Sequence, residues 1–234
     1  MIKKLRYLKY YSKVLLNNWT AYKDSYAQHG EDKLVELLLP DGVNTFIDIG
    51  ANDGVLFSNT YKFAKDGARG ICLEPSRSSY FKLKLNHIFN FQTKCLRLAI
   101  SHREEVMFLK EDGYENVLSN VYQNKANDNY PVKTTSLEEL LNRFPKFRSP
   151  ELVSIDVEGF EEKVIQGAGD SLLATKIIIL EVDKSNLTNL LCLPALQNHY
   201  PAYSNCINLF LLNKKERYKK PNRLPKGFYP CEGS

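Results

Sequence analysis

Phe46-Ile47-Asp48-Ile49-Gly50-Ala51-Asn52-Asp53-Gly54 joins a short apolar run to a turn with glycines four residues apart. Glycine lets a backbone approach a ligand closely. The carboxyl end of a strand is where doubly wound α/β proteins bind nucleotides. Asp48 sits inside the end of this run. Glu74 follows Gly50 by 24 residues and ends the run Gly70-Ile71-Cys72-Leu73. A carboxylate there can accept both ribose hydroxyls through its two oxygens. A second group of acids closes two later apolar runs: Asp156 and Glu158 after Leu152–Ile155, and Glu181 and Asp183 around Val182. In a strand, residues 154, 156 and 158 share one face. Asp156 is therefore the base or ligand expected to face an acceptor, with Glu158 beside it. Asp156, Glu181 and Asp183 at adjacent strand tips would offer Mg²⁺ hard oxygen ligands.

The spacing G-x-x-x-G differs from the G-x-G-x-x-G that grips a dinucleotide pyrophosphate. With Glu74 in register, the loop describes a nucleoside site without that grip. S-adenosylmethionine suits it better than NAD. The four histidines show no ligand spacing, and the five cysteines form no C-x-x-C pair. A reduced chain without structural zinc is expected.

The elements that must position these residues alternate. Apolar runs at 45–49, 70–74, 94–100, 152–157 and 177–182 read as strands, with 105–109 and 206–212 as additions. Helical patterns occupy 55–66, 77–89 and 160–173. A capping box from Ser136 to Glu139 opens a further helix. The Asn-rich stretch 111–131 reads as a loop. Strands separated by helices imply a parallel sheet covered on both faces.

Taken together, the sequence resembles the FkbM-family S-adenosylmethionine-dependent methyltransferases. The resembling features are Ser25-x-x-Gln28-x-Gly30-Glu31-Asp32, the Asp48–Gly54 loop, Leu73-Glu74-Pro75, Ala99-Ile100-Ser101, Thr134–Leu140 and Asp156-Val157-Glu158-Gly159 followed by Glu161. They span about residues 25–183. The resemblance implies an α/β, Rossmann-like class I methyltransferase fold: a mostly parallel seven-stranded sheet with helices on both faces. It implies O-methylation of a sugar hydroxyl in a glycan or glycolipid, or of a polyketide. It places Gly50, Asn52 and Gly54 around the methionine portion of the cofactor, Glu74 on the ribose, Ala99 and Ser101 along the adenine, and Gln28 as a closing residue. Where the family commonly has Lys, two residues before Asp156, this chain has Ser154. The alternatives are another acceptor (small metabolite, RNA or protein) and a non-catalytic glycan- or membrane-binding module of the same fold.

The charge is unevenly distributed. Residues 1–13 carry five Lys/Arg and no acid, residues 214–226 carry seven and one Glu, and 14–213 nets −6 although the chain is +5. An acidic body argues against a nucleic-acid groove. Three regions follow: a basic amphipathic helix at 1–24, a methyltransferase domain at 25–213 and a basic tail at 214–234. Ile2, Leu5, Leu8, Leu15, Leu16 and Trp19 form a near-helical stripe. It suits an anionic membrane surface, a lid or a dimer seam equally. No apolar run approaches the roughly 20 residues of a membrane span, and no secretory h-region is seen. A cytoplasmic protein, peripheral at the inner membrane face, is the expectation.

Overall fold

The computed structural model describes residues 2–110, 120–122, 129–182, 187–205 and 207–231, with side chains from Tyr11 onward except at 120–122 and 188. In chain order the elements are α1 (Ile2–Thr20), α2 (Glu31–Leu38), β1 (Thr45–Ile49), α3 (Tyr61–Lys65), β2 (Arg69–Leu73), α4 (Arg77–Asn86), β3 (Thr93–Leu96), β4 (Ala99–Ile100), β5 (Val106–Lys110), β6 (Asn120–Tyr122) and β7 (Asn129–Thr135). They continue with α5 (Leu137–Arg143), β8 (Leu152–Ile155), α6 (Glu161–Gln166), β9 (Ile177–Glu181), α7 (Leu187–Leu191), β10 (His199–Ser204), β11 (Asn208–Asn213) and β12 (Tyr229–Pro230).

The main sheet has the order β12-β10-β11-β9-β8-β1-β2-β3. Strands β9, β8, β1, β2 and β3 are parallel neighbours, and β11, β10 and β12 add antiparallel pairings. The expected seven strands become eight because the two-residue β12 closes one edge. The chain runs outward from β1 through β2 and β3, then returns to β8 on the other side of β1. Ligands of open α/β sheets bind beyond the strand ends at such a reversal. β1 alternates its side chains: Ile47 and Ile49 join one buried cluster with α5 and α6, and Phe46 joins the other with α2 and α3. Both faces are therefore covered, and all five residues of β1 are buried.

Four readings of the sequence need correction. The helix expected over 55–66 forms only at Tyr61–Lys65. Asp53 Oδ1 accepts from the N–H of Val55 and Leu56, and Ser58 Oγ from that of Tyr61, so side chains hold the preceding loop open. The helix expected over 160–173 ends at Gln166, where a Cβ on Gly167 would overlap the Ser101 carbonyl. The run 94–100 splits: β3 stays in the main sheet, while β4 leaves it to pair with β7. Part of the stretch read as loop carries β6 and the start of β7, which build a second, four-stranded sheet with β4 and β5; residues 111–119 and 123–128 lie outside the described residues.

The C-terminal end of α1 and the segment after β11 both pack on the domain. The end of α1 lies on α4: Trp19 Nε1 donates to the Leu85 carbonyl at 2.9 Å, and Asn18 Nδ2 to Asn86 Oδ1 at 3.0 Å. The segment that begins at 214 is no free tail as far as Cys231. Tyr218 donates its hydroxyl to the Lys176 carbonyl at 2.5 Å, Phe228 is buried against Phe210, and β12 pairs with β10. Among the described residues no helix is long and apolar enough to cross a membrane.

Candidate active site

The loop after β1 is built by contacts that only glycine permits. Gly50 has φ +90°, and a Cβ on it would overlap the Asp156 carbonyl. The N–H groups of Gly50 and Ala51 both donate to the Leu73 carbonyl at 3.0 Å, and that of Asp156 to the Ile49 carbonyl at 3.0 Å. The tips of β1, β2 and β8 are thereby laced together. Gly54 serves packing instead: a Cβ there would strike Leu83 and His87. It is not among the residues that line the cleft.

Glu74 is buried, and its carboxylate is already committed to the loop. Oε2 accepts from Asn52 N–H at 2.9 Å and Oε1 from Ser76 N–H at 2.7 Å. The same carboxylate borders a cleft with Gly50 and Asn52. The far wall is apolar: Pro75, Leu98, Ala99 and Ile100 on one side, Val157 and Phe160 on the other. Met107 and Thr134 of the small sheet complete it. Ala99 lines this cleft. Ser101 is fully buried, its N–H donates to the Thr135 carbonyl, and it is not among the lining residues. Leu98, Met107 and Phe160 were not singled out from the sequence, because their apolar character there is indistinguishable from core.

A second chamber adjoins the first and shares Gly50, Asn52, Asp156 and Glu158 with it. Gln28, Asp48, Asn59, Ser154, Glu181 and Asn208 line it with polar groups, and Phe57 adds an aromatic ring. Gln28 reaches this chamber because its neighbours are tied down. Asp32 accepts from Ser25 Oγ at 2.5 Å and from Tyr26 N–H at 2.7 Å. Ala27 bridges to Phe57. The fully buried Glu31 accepts from Asn205 and Asn208, each at 2.8 Å. The Glu31-Asp32 pair is thus the anchor of the segment, and Gln28 its presented residue. Asn59 donates to Ser154 Oγ at 3.1 Å. Three non-glycine residues have positive φ among the described residues, Asn52, Phe57 and Glu158, and all three line this chamber. Such backbone strain concentrates at ligand sites.

Asp156, Glu158 and Glu181 bring one carboxylate oxygen each within 4.8 Å of one another. Asp183 lies outside the described residues. Asp156 is exposed by area but sits in a concave floor that strips its water. That desolvation, the hydrogen bond with Glu181 and the charges of Glu181, Glu158 and Asp48 hold its carboxyl well above the usual range. Glu158 is pushed up to about 7 by desolvation and by the charges of Glu181 and Glu161. Asp48 is pushed up to about 6 by burial, against a 2.6 Å hydrogen bond from Thr60 Oγ1. Neither Asp156 nor Glu158 has a local structural job. α6 starts after Phe160 with no side-chain cap, and Glu161 orders the preceding loop by accepting from Val157 and Gly159 N–H.

A glycine loop on the first strand, an acid on the second, an apolar slot beyond the third and a carboxylate cluster on the fourth define a class I S-adenosylmethionine-dependent methyltransferase. Residues 48–190 match the methyltransferase FkbM domain, and the chain belongs to that family. The Gln28 segment precedes the matched stretch. Among solved structures, the chain is similar to an O-methyltransferase from Bacillus cereus in complex with SAH, at 11% identity, covering 88% of this chain and 90% of that one with a TM-score of 0.47. It is also similar to precorrin-6y C5,15-methyltransferase from Geobacter metallireducens, at 12% identity over 82% of this chain and 90% of that one, TM-score 0.42. An rRNA methylase from Streptococcus thermophilus aligns at 11% identity over 82% of this chain and 99% of that one, TM-score 0.45. No curated protein matches the chain in sequence.

Proposed function

We propose that this methyltransferase acts on a hydroxyl group, and that its acceptor is a sugar of a glycan or glycolipid. The observation that carries the reading is the second chamber: amides, a hydroxyl and carboxylates beside one aromatic ring, opening directly onto the carboxylate cluster. Sugars offer many hydroxyls to such groups and an apolar ring face to an aromatic side chain. The residues of the first cleft suit S-adenosylmethionine: Glu74 would hold the ribose, the Leu98–Ile100 wall the adenine, and the Gly50–Asn52 backbone the methionine portion. When bound, the cofactor supplies an electrophilic methyl group and its own leaving group. The protein must align the acceptor and take its proton.

Asp156 is suited to take that proton. Its raised pKa makes the carboxylate a stronger base than an ordinary aspartate. Glu181 holds its orientation through their hydrogen bond, and Glu158 stands ready to relay the proton to solvent. Clustered carboxylates need a proton or a cation between them. The hydrogen bond between Asp156 and Glu181 needs only one proton, which leaves the pair an ionised oxygen to accept the proton of the acceptor. Mg²⁺ held by Asp156, Glu158 and Glu181 is the other reading.

The test is methyl transfer from labelled S-adenosylmethionine to a panel of nucleotide sugars, glycolipids, small polyketide alcohols, RNA and protein. Label in a sugar ether supports the proposal. Label in RNA or protein, with every sugar inert, overturns it.

A further inference from the structure

The face made by α1 and α4 has a composition that the methyl-transfer chemistry does not use. From Pro75 to Arg103 the chain has six Lys/Arg and no acid, and from Ile2 to Thr20 it has five and no acid. The fold packs the end of the second of these acid-free stretches, at Asn18 and Trp19, against the first. Trp19 donates to Leu85, and its ring meets that of Phe89 edge-on at 5.0 Å. Among the described residues no carboxylate pairs with Lys82, Lys84, Lys94 or Arg97.

Large apolar side chains stand exposed on this same face. Phe81, Lys84 and Ile88 lie at helical spacing along α4 and its extension, so they form one outward stripe. Phe81 is 63% exposed, Ile88 50%, Phe89 59% and Phe91 89%. On α1, Leu16 is 56% exposed, one turn before Trp19 and one turn after Lys13. A soluble surface rarely gathers so many large apolar groups without a partner.

We propose that this α1–α4 face docks on an anionic lipid bilayer. Phe81, Ile88, Phe89, Phe91 and Leu16 enter the interfacial region, and the flanking lysines and arginines meet the lipid headgroups. Charge decides between occupants. A second copy of the chain would bring like charge to like charge. A nucleic acid would be met by stacking on aromatic faces, whereas Ile88 and Leu16 are aliphatic and stand half exposed. Aliphatic and aromatic groups ringed by cations are what an interfacial segment needs. The basic segment 214–226 does not share this face. It packs beside α2 and precedes β12, at the opposite edge of the sheet from β3.

The experiment uses the full chain and vesicles of two parts phosphatidylcholine to one part phosphatidylglycerol, with pure phosphatidylcholine as the neutral arm. The chain should float with the anionic vesicles at low salt and at least about tenfold less with neutral vesicles or at high salt. Trp19, the one tryptophan, should shift its emission to the blue and be quenched by brominated lipid. The double variant Phe81→Ser, Phe91→Ser removes two side chains that touch little, so melting temperature and cofactor binding should be unchanged while partitioning falls about tenfold or more. No flotation of the wild type at low salt overturns the proposal. So does a double variant that floats like the wild type, or one that loses dimerisation or homopolymer RNA binding while flotation is unaffected. Cofactor binding measured on the same samples keeps failure here separate from failure of the methyltransferase reading.

Discussion

Gly50 and the Asp156 carbonyl oxygen are packed so closely that no side chain can stand between them. The first loop glycine therefore holds the β8 tip, and with it Asp156, in place. Gly50→Ala forces a left-handed φ on a residue with a Cβ and drives that Cβ into backbone. The expected cost is about 3 kcal/mol. Melting temperature and turnover should fall together. Gly67 has φ +93° and open space around it, so Gly67→Ala should cost only about 1–2 kcal/mol and leave turnover alone. Equal effects from both variants would refute the contact.

Glu74 receives Asn52 N–H on one oxygen and Ser76 N–H on the other. Glu74→Gln turns one acceptor into a donor facing a donor, in a buried place. The expected loss is about 10- to 100-fold in affinity for S-adenosylmethionine and its demethylated product, measured by calorimetry. Unchanged affinity would remove Glu74 from the cofactor site.

The site was legible where its signals are local. An apolar strand running into Gly50, an acid ending the next strand and Asp156 ending the fourth are each set by a few neighbouring residues. The sequence also suggested Gln28, but not why it reaches the cleft: its anchor, Glu31, is held by Asn205 and Asn208, more than 170 residues away. Gly54 looked like a ligand glycine because it shares a loop with Gly50, yet its neighbours come from α4. β10 escaped because Pro201 and a bulge between Pro201 and Tyr203 break its pattern. Of the small sheet the sequence showed β5, at 105–109, while β6 and the start of β7 escaped because they emerge from an Asn-rich stretch. What was missed depends on long-range partners that no window of sequence contains.

Lys65 clamps α1 to the domain. Its Nζ donates to the carbonyls of Asn18, Trp19 and Ala21 at 3.0, 3.1 and 2.9 Å. A cation at the C-terminus of a helix also opposes the negative end of its dipole. Lys65→Met keeps the stem and removes the donors, with an expected loss of about 1–3 kcal/mol. Trp19 fluorescence should report release of α1 at lower denaturant than the far-ultraviolet signal of the sheet. Coincident transitions with an unchanged midpoint would show that the clamp contributes nothing.

Asp156→Asn keeps a polar group for Glu181 but removes the base. Turnover should fall by roughly 10²–10⁴-fold, with cofactor affinity little changed. If chelator abolishes wild-type turnover and Mg²⁺ restores it, Asp156 is a ligand with Glu158 and Glu181. If chelator changes nothing and the variant is dead, it is the base. Full activity of Asp156→Asn with and without chelator excludes both roles.

Asp48 gives the pH dependence a definite sign. Its folded pKa is raised to about 6 from 3.8 because burial opposes the charged form more than the Thr60 hydroxyl supports it. A raised carboxyl pKa means that the folded state holds the proton more tightly than the unfolded chain. The associated stability is complete below about pH 4 and is lost as pH rises through about 6. Two units correspond to about 3 kcal/mol at the upper limit. Asp48→Asn keeps an acceptor for Thr60 and has no charge to bury. It should melt close to wild type at pH 4 and be more stable than wild type by about 1–3 kcal/mol at pH 8. Asp48 also lines the chamber that holds Asp156, so the gain should come with lower turnover, the usual exchange at a functional site. Denaturant melts of both proteins from pH 4 to pH 8 decide it. A variant that is destabilised equally at every pH would show that Asp48 is ionised and well solvated throughout.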